Sequence, residues 1–184
     1  MRHLIVSLCL LLSCGTLCAQ KGAPEAVLKD IRARYAEAMS MAQHQRTGEG
    51  LEGKNYMTST LHYVIPGCGP TTETLSMYYL LEESEESGEP CYTPYLITRK
   101  YNIAARQFYE EYLYDHATAQ PLFVFLKYDT YEAEGAVAEE RYYFADGQVV
   151  WKTMNDYAQP DEASVSRMCS TLRSAFAYLV NHSF

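Results

Sequence analysis

The stretch from Thr58 to Thr153 constrains this chain more than any other part of it. Short apolar and aromatic runs recur there with a two-residue period, and turn residues end each run before it reaches helical length. Leu75, Met77, Tyr79 and Leu81 alternate with Ser76, Tyr78 and Leu80, and Pro66-Gly67-Cys68-Gly69-Pro70 sets them off from the preceding run, Thr58 to Ile65. Those two runs read as a hairpin. Tyr95 to Tyr101, Phe108 to Tyr114, Leu122 to Tyr131, Glu139 to Phe144 and Gln148 to Thr153 follow, the last two joined across Ala145-Asp146-Gly147. An Asp-Gly pair between aromatic or branched runs signals a tight hairpin, because the turn needs positive φ. The pattern predicts an antiparallel β-meander of about six strands. Leu122-Phe123-Val124-Phe125-Leu126 is apolar on both faces, which puts that strand near the centre with cover on each side, and Pro121 stands at its entry, where a missing N–H costs least.

A helix is expected on either flank. From Pro24 to about Gln45, Leu28, Ile31, Tyr35, Ala38 and Ala42 recur at steps of three and four, with charged residues turned mostly away. Pro160-Asp161 opens the second helix, with Asp161 placed to cap it and Val165, Met168, Leu172, Phe176 and Leu179 as its apolar stripe. The expectation is an α+β domain with both helices packed on one face of the sheet.

The first residues have a different character. Met1-Arg2-His3 is a short positive start, Leu4 to Leu12 is an apolar run too short to span a bilayer, and Gly15 to Ala19 is rich in small residues. That layout is a secretory signal, and cleavage after Ala19 leaves residues 20–184 as one domain. A lipoprotein signal ending before Cys14 competes, since Leu11-Leu12-Ser13-Cys14 resembles a lipobox and would place a lipid on Cys14. The expected location is periplasmic or extracellular, or the outer membrane if Cys14 is lipidated. No second apolar stretch approaches membrane-spanning length.

Loss of the leader removes Cys9, Cys14 and Cys18 and leaves Cys68, Cys91 and Cys169. Cys68 and Cys91 both lie in turn-like contexts and form the disulfide candidate of an oxidising compartment, whereas Cys169 falls on the apolar side of a helix as a small buried hydrophobe. The formal charge of −8 deepens when Arg2 departs with the leader. Nucleic acid is thereby disfavoured as a partner, because phosphate binding needs a basic patch and the basic residues here are scattered.

Glu111-Tyr112-Leu113-Tyr114-Asp115 and Glu140-Arg141-Tyr142-Tyr143-Phe144 echo one another, each leading through a polar turn into an apolar strand. The echo resembles the hairpin units of bacterial secreted proteins built from Tyr-rich β-meanders, many of them uncharacterised. That resemblance covers about a third of the chain and implies no catalytic residues.

Candidate chemistry is sparse. Glu110-Glu111 and Glu139-Glu140 put carboxylates on strands that can be neighbours, as a glycosidase would need, but they also suit exposed pairing with Arg106, Lys127 and Arg141. Cys68 with His62 upstream has the residue types of a nucleophile and base, and the same residues suit a tight turn. Glu82 to Glu89 is acidic without the alternating ligand spacing of a calcium loop, and His44, His116 and His182 lack metal-ligand spacing. No phosphate loop, nucleophile elbow or zinc-protease motif occurs, so no catalytic residue, metal or cofactor is expected.

The aromatic load points elsewhere. With 17 tyrosines against 6 phenylalanines and 1 tryptophan, many rings carry a polar tip suited to a binding surface. If the helices cover one sheet face, members of the set Tyr109, Tyr112, Tyr114, Tyr128, Tyr131, Tyr142, Tyr143 and Trp151 line the other. The expected function is a non-enzymatic, exported binding module of the cell envelope that recognises a protein, peptide or glycan through that face or its loops. A secreted hydrolase using the strand glutamates or Cys68, and an enzyme inhibitor presenting Glu82 to Glu89, are the alternatives.

Overall fold

The computed structural model describes residues 25–48, 54–84 and 88–183. The expected leader, with Cys14 and both expected cleavage sites, lies outside the described residues, as do residues 85–87 of the acidic loop.

The order is α1 (Glu25–Thr47), β1 (Lys54–Ile65), β2 (Gly69–Glu83), β3 (Pro90–Ile103), β4 (Arg106–Tyr114), β5 (Pro121–Asp129), β6 (Val137–Ala145), β7 (Gln148–Met154) and α2 (Glu162–Ser183). All seven strands form one antiparallel sheet in sequence order, so the meander is as expected with one strand more than the approximate count. Local turn chemistry explains the connections. Asp146 and Gly147 both take positive φ, 51° and 73°, and a Cβ on Gly147 would stand only 3.2 Å from the Gln120 side chain. β5 begins at Pro121, and the α2 cap is made by the Ser164 N–H donating to Asp161 Oδ1 at 3.0 Å.

The helices lie on opposite faces, which corrects the expectation that they share one. Successive residues of a strand point to opposite sides. Met77, Ile97, Tyr112, Val124 and Tyr142 pack with Val165, Cys169, Leu172 and Phe176 of α2, while Tyr78, Leu96, Leu113, Phe123 and Tyr143 pack with Ile31, Ala38 and Ala42 of α1. The physical reason is that both faces of the central strands are apolar, so a single-sided layer would leave Leu113, Phe123 and Tyr143 in water. The Leu122 to Leu126 run already demanded cover on each side. Cys169 is buried at 2% exposure, as expected of a small hydrophobe.

The Cys68–Cys91 pairing is also corrected. Cys68 sits in the β1–β2 turn beside Gly69, and Cys91 pairs with Glu82 at the far end of β2. A strand rises about 3.3 Å per residue, so the two cysteines are on the order of 40 Å apart, far beyond the reach of a disulfide. All three described cysteines are free thiols. No described helix is long and apolar enough to cross a membrane.

Candidate functional site

Beyond the first turn of α2 the described residues place no further element over the sheet. Two cross-strand rows lie there. Arg99, Glu110, Leu126 and Glu140 lie directly opposite one another on β3, β4, β5 and β6, and Tyr101, Phe108 and Tyr128 form the next row out. With the start of α2 they enclose a cleft of about 240 Å³, closed on the helix side by Asp161, Ser164 and Met168.

Tyrosine hydroxyls organise its floor. Glu110 Oε1 accepts from Tyr101 at 2.8 Å and its Oε2 from Tyr112 at 2.7 Å. Glu140 Oε1 accepts from Tyr128 at 2.7 Å, and its Oε2 accepts from Tyr142. Every oxygen of both carboxylates therefore accepts a hydrogen bond from a tyrosine hydroxyl. Arg99 is gripped by Glu73 through Nε at 2.7 Å and Nη2 at 3.0 Å, and reaches Glu110 at 3.4 Å. The same solution recurs on the α1 face, where Glu111 accepts from Tyr35 at 2.5 Å and Tyr109 at 2.6 Å.

Burial makes these partners necessary. Glu110, Glu111 and Glu140 are 9%, 4% and 2% exposed, and an unpaired charge at such depth would cost several kcal/mol. The environment acts on the partners in turn. Desolvation, reinforced by Glu110 and Glu140, pushes the Tyr112 and Tyr142 hydroxyls far above the ordinary tyrosine range. The Arg99 hydrogen bond holds the Glu73 carboxyl below its ordinary value.

Tyr101, Phe108 and Tyr128 stack as a ladder with centroid spacings of 4.7 and 5.8 Å and interplanar angles of 7° and 16°. The Arg99 guanidinium sits 4.1 Å from the Tyr101 centroid and Arg106 5.0 Å from that of Phe108. Half-buried rings thus rim a floor of fixed polar groups. No protein-family model, curated protein or solved structure matches this chain.

The predicted aromatic set is divided among several places. Tyr112, Tyr114 and Tyr142 are core residues under α2, and Tyr143 is buried under α1. Tyr109 is half-buried against Glu111, Tyr131 projects from the β5–β6 loop beneath Arg106, and Trp151 is partly exposed on the α1 side of the edge strand β7. Two of the set line the cleft, Tyr112 from its floor and Tyr128 at its rim. Among the described residues no uncovered aromatic face spans the sheet, because each face has its own helix.

Among the glutamates, Glu139 is the expected surface partner, 3.6 Å from Lys127 and 2.9 Å from Arg141. Glu110, Glu111 and Glu140 are buried instead, and Arg106 donates to the Asp129 carbonyl. His62 is engaged with Thr72 at 3.1 Å. No group of three or more potential metal ligands occurs among the described residues. Sequence reasoning missed Arg99, Tyr101 and Phe108. A usable signal existed: Glu110-x-Tyr112 and Glu140-x-Tyr142 place carboxylate and phenol on one strand face, where the tyrosine reaches back two residues. The internal echo is therefore better aligned one residue earlier, Glu110 with Glu140.

Proposed function

We propose that this protein is an exported, non-enzymatic binding module of the cell envelope whose cleft takes a hydroxyl-rich ligand, the end of a glycan chain. The observation that carries the reading is a polar floor already fixed in place by its own tyrosines and rimmed by half-buried rings. A site so preorganised loses little entropy when it binds. Each carboxylate oxygen has spare acceptor capacity for a ligand hydroxyl. Glu110, Glu140 and Asp161 outnumber Arg99 and Lys127 in the lining, which disfavours anionic ligands. The cavity falls below the usual range of about 300–1,000 Å³, a scale suited to one terminal ring. The leader supports export.

One observation favours hydrolysis. Glu110 and Glu140 flank Leu126 on the same face, about 10 Å apart at the backbone by two strand spacings. Their geometry weighs against it, since an acid or base needs an oxygen directed at the reacting group and each of these is directed at a tyrosine. Glycan-array screening followed by calorimetry of the exported protein tests the proposal. Tyr128→Ala is expected to weaken binding about tenfold, while Trp151→Ala on the other face leaves it unchanged. Absence of glycan binding, or equal loss in both variants, refutes it; cleavage of the bound glycan transfers the site to the hydrolase reading.

A further inference from the structure

The open sheet has two edges, β1 and β7, and they are built differently. β7 carries the usual protections of an edge: it has 7 residues, its pairing with β6 shifts register at Tyr143/Phe144, and Lys152 stands within it. β1 lacks them. Its 12 residues pair with β2 from Lys54 to Ile65 without a break, and between Asn55 and Ile65 there is no Lys, Arg, Asp, Glu, Pro or Gly. Tyr56, Leu61, Tyr63 and Val64 are exposed at 43%, 46%, 39% and 71%. A long, unbroken, uncharged strand whose outward main-chain groups meet no partner among the described residues is a template for another strand.

The side chains say which strand fits. When two copies of one sheet join across a two-fold axis normal to it, each face continues onto itself, and residues facing each other share parity. Centring the axis on Thr60 sets Tyr56 opposite Val64 on the α1 face and Met57 opposite Tyr63 on the α2 face, with Thr58 opposite His62 and Ser59 opposite Leu61. Moving the centre to Ser59 puts Tyr56 against His62 and Val64 against Lys54. Moving it to Leu61 leaves Tyr56 facing Pro66, outside the strand. About Thr60 three of the four exposed apolar residues, Tyr56, Tyr63 and Val64, meet apolar partners across the seam, Leu61 faces Ser59, and no like charges face each other.

We propose that two copies of this chain pair antiparallel through β1 about Thr60, joining two seven-stranded sheets into one. Residues Asn55 to Ile65 then satisfy their outward main-chain groups with on the order of ten hydrogen bonds. The test uses the chain expressed with its leader and purified after export, followed by sedimentation velocity over a concentration series. The parent is expected to dimerise. Thr60→Lys and Thr60→Glu, each placing like charges face to face on the axis at an exposed position, are each expected to raise the dimer dissociation constant about tenfold or more. An equimolar mixture of the two is expected to recover the dimer as a heterodimer. That recovery separates loss of the interface from loss of the fold. A monomeric parent, a dimer indifferent to either substitution, or a mixture that stays monomeric while both variants retain the parent's circular dichroism overturns the proposal.

Discussion

Replacing Tyr142 with Phe deletes a single oxygen at a position that is 0% exposed and that donates to a carboxylate that is 2% exposed. The ring and its packing beneath α2 are retained, so the effect isolates the hydroxyl. Glu140 Oε2 loses its tyrosine donor at a position that is only 2% exposed. A hydrogen bond to a buried charged group is worth about 1.5–3 kcal/mol, so the variant should lose about 2 kcal/mol. For a domain of this size that corresponds to a fall in Tm of about 4–8 °C. Tyr128 donates to the other oxygen of the same carboxylate at 2.7 Å but lies at the cleft rim, where water can take its place. Tyr128→Phe should therefore cost less than about 1 kcal/mol. In the double variant neither oxygen keeps its donor, and the loss should exceed the sum of the single losses by about 0.5 kcal/mol or more. Urea and thermal unfolding of the three variants at pH 7 measure all of these quantities. Tyr142→Phe as stable as the parent, or Tyr128→Phe costing as much as Tyr142→Phe, would refute the claim that tyrosines carry the buried charge.

Alkaline pH should unfold the protein in one step. Burial, the largest cause, raises the Tyr112, Tyr114 and Tyr142 hydroxyls above their ordinary value of 10.0, so above that pH the native state keeps protons that the unfolded chain releases. Stability is then full below pH 10 and falls as pH rises beyond it, by up to about 1.4 kcal/mol per pH unit for each such tyrosine. Phenolate absorbance from this set should appear together with loss of ellipticity, and smooth titration with the fold intact would contradict the burial argument. Thiol labelling with intact-mass readout on the exported protein should find three free cysteines and a chain beginning at Gln20. Cys91 should react fastest and Cys169, whose thiol burial pushes up to about 12, only on unfolding. A mass two hydrogens short, or a lipid on Cys14, would show the thiol or cleavage reading to be wrong.

Much of the site was legible one residue at a time. Period-two alternation, Asp146-Gly147, Pro121 and the Asp161 cap are local features, set by the conformational preferences of a few neighbouring residues, and the elements they imply are present. The glutamates at 110, 111, 139 and 140 also stood out in the sequence. Their roles did not, because adjacent carboxylates alternate between faces. Which face is buried depends on what packs there, and Glu139 and Glu140 consequently became a surface ion-pair residue and a core acceptor. The tyrosine count looked like a binding surface, and a large share of it serves instead to donate hydrogen bonds to buried glutamates.

By itself, then, the amino-acid sequence determined the order of elements, the antiparallel meander, and the need for cover on both sides of Leu122 to Leu126. Tertiary structure alone decided that α1 and α2 take opposite faces, that Cys68 and Cys91 sit at opposite ends of β2, and that Arg99, Glu110 and Glu140 share one cleft. The physical reason is range. Turns and periodicity arise from interactions within a few residues, whereas the partner of a helix face, a thiol or a buried carboxylate is set by strand register summed across the whole sheet.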